Sequence, residues 1–77
     1  PNPVTEYLRV LLKGEEGDYI FKIYDVFGRL LFQNSSLHPF DEEALNLSTL
    51  PQGVHIYMLE REGVLLKSGI IELSGGF

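Results

Sequence analysis

The feature that most constrains the fold is residues 19–33, YIFKIYDVFGRLLFQ. Two arms of β-branched, aromatic and aliphatic residues flank Asp25-Val26-Phe27-Gly28, and such residues suit a pleated, half-buried surface. The gap is so short that the arms must run antiparallel, and Gly28 can take the positive φ that closes such a loop. The stretch predicts a β-hairpin with Tyr19, Phe21 and Ile23 on one face and Ile20, Lys22 and Tyr24 on the other.

The rest of the chain reads as short strands around that hairpin. In residues 5–13, Leu8, Val10 and Leu12 alternate with Tyr7, Arg9, Leu11 and Lys13, a period-2 strand with the first set inward. Gly14-Glu15-Glu16-Gly17-Asp18 is a turn cluster. Residues 34–43, NSSLHPFDEE, are polar enough to predict a long loop. Residues 44–47 form a short strand, Ser48 to Gly53 a turn with Leu50 tucked beneath it. Residues 54–60, VHIYMLE, are apolar at nearly every position and predict a central strand. Arg61-Glu62-Gly63 turns the chain into a last strand over 64–73, where Ser68-Gly69 predicts a bulge or a close backbone approach. Residues 40–47 could form one helical turn at most. The pattern predicts an all-β fold, a small antiparallel sandwich or barrel of six or seven short strands.

Composition narrows the function classes. A chain of 77 residues has room for one core, and without cysteine it has neither disulfides nor thiolate metal sites. A net charge of −5 repels a phosphate backbone, which argues against nucleic-acid binding. No apolar run approaches the roughly 20 residues of a membrane span. The opening Pro1-Asn2-Pro3 and the missing start methionine predict a domain cut at a linker from something longer.

Catalytic chemistry has little to stand on. His38 with Asp41, Glu42 and Glu43, and likewise Glu15, Glu16 and Asp18, could supply ligands, but neither has the spacing of a metal site and each reads as a solvated acidic loop. His55, in an apolar strand, reads as a core or interface histidine. No serine or threonine sits in a nucleophile elbow, and no glycine-rich phosphate loop is present. No catalytic residue, cofactor or metal is expected. Asn34-Ser35-Ser36 and Asn46-Leu47-Ser48 match the N-x-S acceptor pattern, which arises often by chance. Tyr7, Tyr19, Tyr24 and Tyr57 could line a sugar-binding face, although aromatic residues at strand spacing more often pack cross-strand.

Four pieces in order carry a resemblance: Pro1-Asn2-Pro3-Val4; Ile23-Tyr24-Asp25-Val26-Phe27-Gly28-Arg29-Leu30-Leu31; Leu45-Asn46-Leu47-Ser48-Thr49-Leu50-Pro51-Gln52-Gly53-Val54; and a closing hairpin at the C-terminus. Together they resemble the C-terminal sorting domain of the type IX secretion system of Bacteroidota. The resemblance implies an immunoglobulin-like sandwich at the C-terminus of an exported cargo protein. It also implies recognition by the type IX outer-membrane translocon and its shuttle proteins, and in many members removal by a surface sortase. Passage through the periplasm to the cell surface or medium follows from it. In the family the closing hairpin is the part implicated in recognition, which maps here to Glu60 through Leu73, with Lys67 the nearest match to the family's lysines and Lys67, Ser68, Gly69, Ile70, Ile71, Glu72 and Leu73 the recognition residues. Pro1, Asn2, Pro3, Asp25, Gly28, Arg29, Leu50, Pro51 and Gly53 take structural roles: Pro1 and Pro3 stiffen the junction, the glycines serve turns, and Arg29 pairs with Asp25. Three positions depart from the family pattern: His55 where tyrosine is usual, Glu72 where a basic residue is common, and the extra tail Ser74-Gly75-Gly76-Phe77. The alternative from another class is a carbohydrate-binding or spacer module, and an uncovered edge strand would allow dimerisation.

Overall fold

The computed structural model describes residues 3–4 and 7–74; Pro1, Asn2 and the tail from Gly75 to Phe77 lie outside the described residues. Seven strands follow one another: β1 (Pro3–Val4), β2 (Tyr7–Leu11), β3 (Tyr19–Tyr24), β4 (Leu30–Leu37), β5 (Glu42–Asn46), β6 (Gly53–Arg61) and β7 (Val64–Leu73). They make a five-stranded sheet in the order β1-β7-β6-β3-β4 and a two-stranded sheet of β2 and β5. No helix occurs among the described residues. The architecture is a small all-β sandwich.

The hairpin forms as its residues require. β3 pairs antiparallel with β4, and Gly28 closes the loop at φ 87°. Along β3 the burial alternates strictly, with Tyr19, Phe21 and Ile23 buried and Ile20, Lys22 and Tyr24 half-buried. The buried set faces Leu12, Leu45 and Leu47 from the β2/β5 side, joined by Leu37, Ile71 and Leu73 from the large sheet. Leu8 and Val10 pack against this core while Tyr7 and Leu11 point to water, so the phase predicted for β2 holds. Leu50 packs beneath its turn as expected. The buried ring of Tyr19 keeps its hydroxyl satisfied by donating to the Glu15 carbonyl at 2.6 Å.

β6 is central, paired with β3 on one side and β7 on the other. Glu62 and Gly63 connect β6 to β7 with φ of 50° and 81°, the two positive values of the tightest hairpin turns. The loop before β3 is tied to that turn. The Glu62 N–H donates to the Asp18 carbonyl, and Arg61 Nη2 donates to the Glu16 carbonyl at 2.7 Å and to Glu15 Oε2 at 3.1 Å.

One expectation needs correction. Residues 34–43 are mostly strand: β4 runs on to Leu37 and β5 begins at Glu42. An edge strand keeps one side in water, so polar side chains do not forbid it. Leu37 is drawn in beside Tyr19, and Asn34 Oδ1 accepts the N–H and hydroxyl of Ser36, absorbing a register shift. Strands β2 to β7 pair antiparallel as expected, and the two-residue β1 adds a parallel pair at the end of β7. Ser68-Gly69 is a close approach without a bulge. The irregularity lies where Leu59 pairs with Lys67 and Glu60 with Leu65, leaving Leu66 as the extra residue.

Gly69 sits directly across from Tyr57, whose ring stacks on Phe21 with centroids 5.8 Å apart. A Cβ built at position 69 would lie 2.7 Å from that ring. Gly69→Val is therefore expected to displace the ring and cost about 1–3 kcal/mol. Urea unfolding checks this, and in a Tyr57→Leu background the cost should shrink.

Candidate recognition surface

Three of the motif pieces that stand far apart in sequence meet at one end of the sandwich. Tyr24, leading into the 25–29 loop, pairs with Ile56; Gly53 pairs with Leu73; and Val4 pairs with the same Leu73. Loop 25–29, turn 50–53 and strand β1 thus surround the C-terminal end of β7. Sequence order gave no sign of this convergence, which depends on the parallel β1–β7 pair.

The loop 25–29 is held by one carboxylate. Asp25 Oδ1 accepts the N–H groups of Phe27 and Arg29, each at 2.9 Å, and Oδ2 receives Arg29 Nε at 2.9 Å. The Gly28 N–H donates to the Asp25 carbonyl, closing the turn. The pairing expected of Arg29 is present, and the two backbone bonds make the aspartate the organiser of the loop. The Arg29 N–H, with the Arg29 side chain and the Phe27 N–H, holds the Asp25 carboxyl below its ordinary value. A depressed carboxylate contributes stability above its unfolded pKa and loses it as pH falls through the folded one. The stability gap between the native chain and Asp25→Asn should therefore narrow as pH drops through the acid range, measured by thermal midpoints. A pH-independent gap would contradict this role for the carboxylate.

The expected recognition segment is divided between core and water. Ile71 and Leu73 are buried in the core, whereas Lys67, Ser68, Ile70 and Glu72 are exposed and Gly69 lies under Tyr57. Beside them Val64, Leu65 and Leu66 are half-exposed or more, so β7 shows water an apolar strand interrupted by one lysine. Arg9, Lys22, Arg29 and Arg61 each make an ion pair; among the described residues Lys67 makes none.

The other candidates fall elsewhere. His55 is buried, with Nδ1 3.0 Å from the Gly53 carbonyl, a local bond that fits the core role read for it. His38 is exposed, and Glu42 of the same acidic stretch turns its carboxylate to Arg9 at 2.8 Å. The four tyrosines share no face. Tyr19 and Tyr57 belong to the inner side of the large sheet, Tyr24 to the outer side, and Tyr7 to β2. The structure also exposes Phe27 at 91% and Phe40 at 69%, neither of which the sequence singled out.

The described residues thus form a small β-sandwich with a D-x-x-G-R loop capped by Asp25, an L-P-x-G turn and a closing hairpin. The chain belongs to the secretion system C-terminal sorting domain family, which it matches over residues 1–72. The family is that of type IX secretion sorting signals, which implies work with that machinery and delivery to the cell surface or medium. No curated protein and no solved structure matches the chain.

Proposed function

We propose that this domain is a non-catalytic address, read by the type IX outer-membrane translocon, that sends a cargo protein upstream of it across the outer membrane. The family match over nearly the whole chain carries this reading. The exposed residues of β7 present the address, Lys67 from one face of the strand and Ser68, Ile70 and Glu72 from the other. Lys67, Ser68, Ile70 and Glu72 meet the machinery, while Ile71 and Leu73 hold the strand in place. The route runs through the periplasm, and shuttle proteins and a surface sortase are the further partners. A sugar-binding face has no support from tyrosines that point three ways.

The test is export of a reporter fused upstream of residue 1 in a Bacteroidota strain. Lys67→Glu combined with Ile70→Glu alters only exposed positions and should lower surface or released reporter about tenfold, the loss expected for a central contact residue. His38→Ala should export like the native chain. Matched urea midpoints establish that the double variant folds. Full export from that folded variant would overturn the assignment of β7.

A further inference from the structure

Among the described residues β7 has one open backbone edge. β6 pairs along one side from Gly53 to Arg61, whereas β1 meets the other side only at Glu72 and Leu73. The outward N–H and C=O groups of residues 64–71 thus have no ladder partner among the described residues, and such groups accept an added strand. The opposite edge is unlike it: β4 carries register shifts near both ends, and the Asn34–Ser36 side-chain bonds kink it. On β7 the extra residue Leu66 ends the irregular part, and residues 67–71 pair regularly with β6.

We propose that β7 takes up an extended segment of another protein as a sixth strand along residues 67–71, and that this segment alternates apolar residues with an acidic one set opposite Lys67. The side chains along the edge define both halves of the pattern. Ile70, 56% exposed, offers apolar surface on the outer face. Lys67, paired with Leu59 and so on the other face, is the one charged residue in 64–71 and has no ion-pair partner among the described residues. Residues directly opposite on neighbouring strands share a face and interact, so the partner needs apolar side chains in one parity and a carboxylate in the other. A second copy fits poorly. Two-fold pairing of residues 64–70 or 65–71 with themselves sets Lys67 opposite its copy or diagonal to it, about 7–8 Å away. Each copy also brings a net charge of −5. A lysine on an edge strand is a known guard against self-pairing.

The proposal rests on the recognition reading only for who the partner is. Its test uses the isotope-labelled 77-residue chain and two synthetic heptapeptides of alternating valine and threonine, one with a central aspartate and one with a central lysine. The aspartate peptide should shift the amides of residues 67–71, slow their exchange, and bind about two- to fivefold tighter than the lysine peptide. That preference runs against the net charge of −5, which alone would favour the lysine peptide. Lys67→Glu should invert the preference. Lys13→Glu, an equal change in total charge on an exposed residue beyond β2, should not. Absent or non-saturable shifts, shifts on β4, or a preference unchanged in Lys67→Glu would each overturn the proposal. So would protection of residues 67–71 that grows with chain concentration in the absence of peptide, since the occupant would then be a second copy. The titration contains no secretion machinery. Intact export with no peptide binding therefore refutes strand addition alone, and peptide binding without export refutes the sorting role alone.

Discussion

Ile23→Ala is expected to remove about 2–5 kcal/mol of stability, the range for truncating a large buried aliphatic residue. Ile23 is fully buried, on the face of β3 that meets the two-stranded sheet, between strands β4 and β6. A chain of 77 residues has about 4–12 kcal/mol of total stability, so this one change would consume a large share of it. Ile70→Ala, at a position 56% exposed, should cost under about 1 kcal/mol. Chemical denaturation of both variants checks the pair. Equal losses would mean that the two faces of the large sheet are not divided as described.

Deleting residues 67–77 should abolish export of an upstream reporter, and it should also unfold the domain. β7 delivers Ile71 and Leu73 to the core and, among the described residues, is the strand that β1 pairs with. Removing it strips one side of β6 and leaves the buried residues of β3 with less to pack on. Loss of export by deletion alone therefore mixes two causes, lost contact and lost fold. The combined Lys67→Glu and Ile70→Glu variant separates them, because neither side chain is part of the core. Export lost in both the deletion and the folded double variant assigns the effect to the surface of β7. Export from the deletion chain would place the signal elsewhere in the domain.

Much of the fold was legible because its strands obey simple periodicity. β3 alternates without exception, Gly28 stands where the loop needs positive φ, and the last strand spans residues 64–73 as its pattern predicts. β4 was not legible beyond Gln33, since edge strands tolerate the polar residues that usually mark loops, and only the distant Tyr19 explains why Leu37 is drawn in. The parallel β1–β7 pair was hidden for a different reason: two residues of strand have no period to detect. Of the recognition segment, the sequence could locate the strand but not its parity. Which of Lys67 to Leu73 face water depends on the register with β6, and the extra residue at Leu66 shifts that register. The open edge of β7 was likewise beyond sequence, because it follows from how little of the strand β1 covers.

The central claim, that this domain is a type IX address, is tested most directly by transplanting it. Residues 1–77 are fused to the C-terminus of a periplasm-targeted fluorescent protein in a Bacteroidota strain with a working type IX system, and in a sister strain lacking the translocon. The account predicts reporter at the surface or in the medium of the working strain and retention in the periplasm of the sister. Folded reporter kept in the periplasm of both strains would contradict it.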